Sequence, residues 1–311
     1  METTEQRFEF GYELITWEFG EQPAAHGLEV IAAEGFGCFE ALLGDTLGAD
    51  FSRRVMTLGY PTLPETVSDV QLLDRLAMLT DAPREHGIRL ASLFCDGEWV
   101  NPHTWAHELA KAKVVAHILH SVGARIFVCG GGPPQLGRPR SAADYADFAQ
   151  RLHELGAHSA ELGIRTVYHP HIDTFVETRE QLDRLMDVLD TGLVGLCIDP
   201  AHFQVKREDP VDIFRTYASA IDYVHLKDCT GDESTLTGYD RYLAFSALGT
   251  GIIDLKGITA ALLASGYDGL VIVELDYSED PDGTCRQSAA YIRETLGLTL
   301  TLAGSTREKE G

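Results

Sequence analysis

Eight apolar, β-branched runs recur along this chain, most of them approached through a turn or a glycine: GYELITW (11–17), GFGCFEALLGD (35–45), GIRLASLF (87–94), GARIFVCGGG (123–132), GIRTVYH (163–169), GLVGLCID (192–199), AIDYVHLKD (220–228) and GYDGLVIVELD (266–276). Runs of this length and composition read as buried strands. Between most of them lie stretches such as 142–162 and 177–190, where apolar residues return every three or four positions. That is the period of a helix with one face in a core.

Strand and helix therefore alternate, and 311 residues over eight repeats give units of about 39 residues, the size that suits a closed barrel. The expectation is an α/β fold, a single (β/α)8 TIM barrel over 1–300, followed by a small, charged tail at 301–311 that frays. Gly87, Gly123, Gly163 and Gly266 precede strands and are expected to close helices in the left-handed conformation. A doubly wound open sheet is the rival architecture, but no GxGxxG follows the first strand to support it. The glycine triplet 130–132, followed by Pro133 and Pro134, reads as a loop and not as a phosphate-cradling helix start. Two loops exceed what a barrel needs: 44–66, and 229–251 with Tyr239, Arg241, Tyr242 and Phe245. Long loops at the C-terminal ends of strands are where barrels place lids and substrate contacts, which makes Arg241 a candidate substrate-binding residue.

Charge excludes some function classes. Lys and Arg number 25 against 48 Asp and Glu, a net charge of −23 that repels phosphate backbones and anionic membranes. No nucleic-acid or membrane partner is expected, and the acidic excess reads as a solvated surface. The six cysteines form no CxxC pair and sit mostly in apolar runs, as buried thiols do in a reducing cytoplasm. No apolar segment approaches the roughly 18 residues of a membrane span, and the N-terminus lacks the pattern of a secretion signal. A cytoplasmic enzyme acting on a small molecule is the resulting expectation. Nothing in the sequence decides between a monomer and a homo-oligomer.

Active sites of barrels form at the C-terminal ends of the strands, and the last four strands here end alike. They give Tyr168-His169-Pro170-His171, Asp199-Pro200-Ala201-His202, His225-Leu226-Lys227-Asp228 and Glu274-Leu275-Asp276. Two imidazoles and two carboxylates, from His169, Asp199, His225 and Glu274, make a donor set for manganese, cobalt, zinc, iron or magnesium. Side chains alternate along a strand, so His169 and His171, His225 and Lys227, and Glu274 and Asp276 are pairs on one face. One member of each pair can bind metal while the other meets substrate. A single strand-end histidine is more often a hydrogen-bonded structural residue; four consecutive ligand-capable strand ends argue otherwise. Trp17 and Trp99 can stack on a substrate ring, although core packing explains either equally well. Glu40 can bond a substrate hydroxyl or pair with a base on a neighbouring strand.

The motifs VYHPHIDTFVET, GLCIDPAHF, YVHLKD and LGTGIIDL with GYDGLVIVELD resemble the xylose-isomerase-like barrel superfamily, most strongly over about 163–276. That resemblance implies a metal held by a carboxylate ending strand five, the Asp of D-x-x-H, the His of H-x-K-D and a Glu ending strand eight. The last three fall on Asp199, His225 and Glu274. At strand five the family's usual Glu-Asn-His is replaced, with His169 where Glu is expected and His171 on the family histidine. The Y-H-x-H variant is most similar to inosose dehydratases, which implies a lyase for a cyclic keto-polyol using manganese or cobalt. With His169 in place of a carboxylate the metal site has a formal charge of zero instead of minus one, which suits polarising a ketone. On this expectation His202 or Glu274 removes the α-proton, His171 protonates the leaving hydroxyl, and Lys227 stabilises the oxyanion with Asp228 orienting it, or the two form a structural pair. The alternatives are a ketose isomerase or epimerase, a 3-keto-glycoside lyase, and a barrel that binds a small molecule without chemistry.

Overall fold

The computed structural model describes residues 5–18, 24–42, 79–81, 84–132, 138–231 and 243–302. Eight parallel strands form one closed sheet, in chain order around it: β1 (Glu9–Glu13), β2 (Cys38–Leu42), β3 (Arg89–Gly97), β4 (Ile126–Gly131), β5 (Arg165–Tyr168), β6 (Val194–Ile198), β7 (Ile221–Leu226) and β8 (Leu270–Val273), which returns to β1. Each expected run contributes one strand, and the architecture is the (β/α)8 barrel. The helices are α1 (Ile15–Glu18), α2 (Ala24–Ala33), α3 (Trp105–Val122), α4 (Ala142–Glu161), α5 (Arg179–Met186), α6 (Pro200–Val205), α7 (Pro210–Thr216), α8 (Leu255–Ser265) and α9 (Pro281–Ala290). Gly87, Gly123, Gly163 and Gly266 all have positive φ, between 70° and 79°.

Three boundaries differ from expectation. The first strand stops at Glu13, whose parallel pairing with Glu40 is closed by the Leu14 amide donating to the Glu40 carbonyl (2.9 Å); the next residues coil into α1, taking Trp17 with them. The third strand continues past Phe94 to Gly97. Gly130 and Gly131 belong to β4 and not to a loop; Gly131 has φ 91°, and a Cβ on it would fall 2.1 Å from the Asp96 carboxylate.

The described residues fall into two compact units. In the first, made from Met1–Glu40, Ala82–Arg89 and Ile198–Gly311, β1 is buried along its whole length and pairs with β8 (Gly11 opposite Ile272) and with β2 (Gly11 opposite Cys38). A side chain at Gly11 would meet Ile272 Cδ1 at 2.6 Å and Cys38 Sγ at 2.7 Å, so three strands pack over the space a Cβ would fill. Tyr12 wedges edge-on between Trp17 (5.6 Å) and Phe36 (5.4 Å).

The second unit, Ala41–Asp81 with Leu90–Cys197, carries β3, β4 and β5 in parallel register, with Cys95 opposite Cys129 and Cys129 opposite Tyr168. Its helix α4 begins in a capping box, where Asp144 reaches back to the Ser141 amide (2.6 Å) and is gripped by both Arg138 amino groups (2.7 and 2.6 Å). Arg138 holds that carboxyl below the usual carboxylate range. The buried face of α4 sends Phe148 between Tyr168 and Phe175, each 5.1 Å away.

All six cysteines are buried thiols. Burial pushes Cys38 up to about 11 and Cys95 up to about 12, which keeps them protonated and unreactive. Among the described residues no helix is long and apolar enough to cross a membrane.

Phe148 is the keystone of the aromatic cluster, and Phe148→Ala is expected to destabilise the protein by about 3–5 kcal/mol, read as a lower urea midpoint at an unchanged slope.

Candidate metal centre and active site

The chemistry of the first unit gathers at the C-terminal ends of its strands. Asp199 follows β6 and caps α6: Oδ1 accepts from the Ala201 amide (2.7 Å), with Pro200 in the first helical turn. This fixes the carboxylate and turns Oδ2 inward, where it is buried without a hydrogen-bond partner, 3.3 Å from His202 Nε2 and 3.6 Å from Lys227 Nζ. Burial pushes the Asp199 carboxyl up to about 7, against the opposing pull of Lys227.

His225, on β7, lies between two carboxylates. Its Nδ1 is 2.7 Å from Glu274 Oε2 and its Nε2 is 2.9 Å from Glu40 Oε1. Lys227, two residues on, contacts Glu274 Oε1 (2.6 Å) and Asp276 Oδ2 (2.8 Å) and lies 4.4 Å from the centre of the Phe245 ring. Burial alone would lower the pKa of this ammonium, but Asp276, Glu274 and Asp199 hold it well above the ordinary value. Glu13 is also buried here; burial, then Glu274 and Glu40, push its carboxyl well up.

One ligand-capable atom from each of Asp199, His225 and Glu274 lies within 4.8 Å of the others, and the same holds for Glu13, Glu40 and His225. A buried oxygen without a hydrogen bond, beside an imidazole and a second carboxylate, fits a divalent cation by chemistry and by position.

In the second unit His169 immediately follows β5. It is buried, its amide bonds to the Cys129 carbonyl (2.9 Å), and its Nδ1 lies 3.1 Å from the Cys197 carbonyl. A ring that donates from Nδ1 to a carbonyl presents Nε2 as its ligating nitrogen. His171, half-buried, has its Nδ1 2.7 Å from the Ile172 carbonyl, with its ring edge-on to His169 at 5.4 Å.

Several expected roles change. Trp17 and Trp99 are both fully buried and engaged with protein partners: Trp17 donates to Asp282 (3.0 Å), while Trp99 donates to the Gly130 carbonyl and lies beneath Lys111. Both are packing residues, not stacking platforms. Asp228 does not orient Lys227; its carboxylate accepts from the amides of Cys229, Gly249, Gly251 and Ile253 at 2.9–3.1 Å and fastens the 246–253 turn. Asp276 is the lysine's second carboxylate. Glu40 meets His225. Arg241 lies outside the described residues, as do Tyr239, Tyr242 and the whole of the 44–66 segment. Glu13 was not singled out from sequence; its one signal is an acidic residue closing an otherwise apolar strand.

A sequence model of the xylose isomerase-like TIM barrel matches residues 28–295. Among curated proteins, the chain is 33% identical over 217 residues to an inosose dehydratase of Geobacillus kaustophilus, covering 63% of this chain and 70% of that one. Among solved structures it matches the probable 3-DHS dehydratase AsbF of Bacillus anthracis at a TM-score of 0.71 and 11% identity, over 92% of this chain and 99% of that one. It matches the IolI protein with a bound zinc atom at a TM-score of 0.70 and 18% identity, over 93% and 98% of the two chains. At these identities the two structural likenesses show the fold.

Lys227 offsets three carboxylates in a dry interior. Lys227→Met is therefore expected to cost about 3–5 kcal/mol of stability at neutral pH, measured by chemical denaturation.

Proposed function

The chain belongs to the xylose isomerase-like TIM-barrel family, and from that membership we propose that it is a divalent-metal-dependent dehydratase eliminating water from a cyclic keto-polyol of the inosose kind. That it is an enzyme, and one related to dehydratases, follows from the relatives. The observation that carries the finer proposal is the buried convergence of Asp199, His225 and Glu274 around an oxygen that has no hydrogen bond.

His169 is the proposed fourth ligand. It ends β5, which pairs with β6, and its Nδ1 meets the carbonyl of Cys197, two residues before Asp199. A ligating histidine that donates its other ring nitrogen to a backbone carbonyl is the usual support for a metal site. Manganese or cobalt is proposed as the ion, and the zinc of IolI shows that this fold accommodates a transition metal.

When bound, the cation supplies Lewis acidity toward a ketone oxygen, which makes the neighbouring α-proton easier to remove. His202 is the proposed base. Its imidazole is buried against Phe245 at 5.3 Å, and it can accept the α-proton at Nδ1 while Nε2 stays 3.3 Å from Asp199 Oδ2, which stabilises the resulting imidazolium. Glu274 is the weaker candidate, because its Oε1 accepts from Lys227 and it belongs to the proposed ligand set. His171, entering as the imidazolium with Nδ1–H anchored at the Ile172 carbonyl, gives its Nε2 proton to the departing β-hydroxyl and is left neutral. One C–H and one C–O bond break, a C=C bond forms, and water leaves. Lys227 acts by holding Glu274 and Asp276 in place.

Two sets of variants test this. Asp199→Ala and His225→Ala are expected to lose both bound metal and turnover, followed by metal analysis and by the enone or dione chromophore with inosose as substrate; full activity after thorough chelation would sink the proposal. In His171→Ala the metal should stay while elimination disappears, and a parallel fall in metal content would make His171 a ligand instead. Solvent deuterium incorporated without loss of water would identify isomerisation as the reaction.

A further inference from the structure

In the second unit β3 runs past its apolar run and carries Asp96 to its C-terminal end, the end at which barrels assemble their chemistry. Side chains alternate along a strand, so Asp96 shares a face with Phe94, whose half-buried ring stands edge-on to His169 at 6.0 Å. The neighbouring strand leaves that face open. Gly130 of β4 lies in register with Asp96, and a Cβ there would meet the Phe94 ring at 2.5 Å, while a Cβ on Gly131 would fall 2.1 Å from Asp96 Oδ1. The two glycines make the room in which a ring and a carboxylate stand side by side.

The backbone under Asp96 is fixed from two directions. Lys111 Nζ donates to the Asp96 carbonyl (2.7 Å) and pairs with Glu108 (2.8 Å), so this buried ammonium is turned to the main chain. The Gly132 amide donates to the Gly97 carbonyl (2.7 Å) and ties the strand end to β4. Asp96 itself is exposed. The protein around it pushes its carboxyl up by desolvation, and His171 is the foremost group pulling the other way, which puts the carboxylate within electrostatic reach of the proposed acid. A polar group held on a rigid backbone and open to solvent is the kind that orients a ligand.

The chemistry of the pair selects the ligand. An ionised carboxylate only accepts hydrogen bonds, at up to about four lone-pair sites, so it favours a partner that presents hydroxyls and repels an anion. An aromatic ring beside it covers C–H surface. We propose that Asp96 is a substrate-binding residue: its carboxylate accepts hydrogen bonds from ring hydroxyls of the polyol remote from the reacting carbons, while Phe94 covers the C–H edge of the same ring. The inference rests on the keto-polyol dehydratase function proposed above and deepens it, by naming a group that distinguishes a hydroxylated ring from a bare cyclic ketone.

The test uses the full-length, manganese-loaded protein with inosose as substrate. Wild type, Asp96→Ala and Asp96→Asn are compared for kcat, KM, bound metal and urea midpoint, and then with monodeoxy inososes that each lack one ring hydroxyl. The expected result is a KM raised about 10–100-fold in Asp96→Ala and by less in Asp96→Asn, with kcat, bound metal and midpoint little changed. At least one deoxy substrate is expected to show the raised KM with wild type and no further rise with Asp96→Ala, as two partners of one hydrogen bond do. An unchanged KM in both variants would overturn the inference. So would a fall in kcat at constant KM, which would make Asp96 a partner of His171 in proton transfer, and so would loss of metal or a lowered midpoint in both variants, which would make it structural. Penalties that multiply for every deoxy substrate would assign the hydroxyls to other residues. Wild type that holds its metal but eliminates no water from inosose would bring down the dehydratase reading, and this inference with it.

Discussion

The first unit depends on an imbalance of buried charge. Glu13, Glu40, Asp199, Glu274 and Asp276 crowd the ends of its strands, and the one permanent cation among them is Lys227. Carboxylates do not remain ionised away from water unless something positive is close. Lys227 touches three of them, His225 lies between two, and Glu13 and Asp199 are pushed toward their protonated forms. That shortage of positive charge is what the proposed divalent cation would offset.

The barrel supplies the rigidity that this arrangement needs. Parallel register sets Glu13 beside Glu40, and β8 pairs with both β1 and β7. Asp199 is fixed by the helix it caps, not by flexible packing. Gly11 lets β1 lie close against β2 and β8, which keeps the strands that carry Glu13, Glu40 and Glu274 at their required spacing.

Much of this was legible in the chain. Eight apolar runs with helical stretches between them specify the barrel because burial on both faces leaves a strand no polar side to advertise, and strand-end His, Asp and Glu break those runs visibly. Strand ends were less legible: Ile15 and Trp17 extend the first apolar run although they belong to a helix, since burial alone does not distinguish the two. The roles of the tryptophans depended on whether the indole N–H found a protein acceptor, which is a matter of residues as distant as Asp282. Adjacency misled at Lys227, whose sequence neighbour Asp228 points into a turn while Asp276, 49 positions away, makes the ion pair. Glu13 stayed hidden because an acidic residue at a strand end usually faces water.

The Asp228 carboxylate has a consequence for how such an enzyme diversifies. The chain leaves the β7 end through Asp228–Cys229 and comes back antiparallel at Phe245–Ser246, with the Thr230 amide clasped to Ala244 (2.7 Å) and Asp228 accepting from three amides, of Gly249, Gly251 and Ile253, just beyond the returning strand. Both feet of the intervening segment are thereby anchored independently of what lies between them. Lys227 and Phe245, whose ring centre lies 4.4 Å from the ammonium, stand on the anchored side of those two feet. The scaffold thus offers evolution, or a protein engineer, a socket whose two sides are clasped by backbone and by one carboxylate.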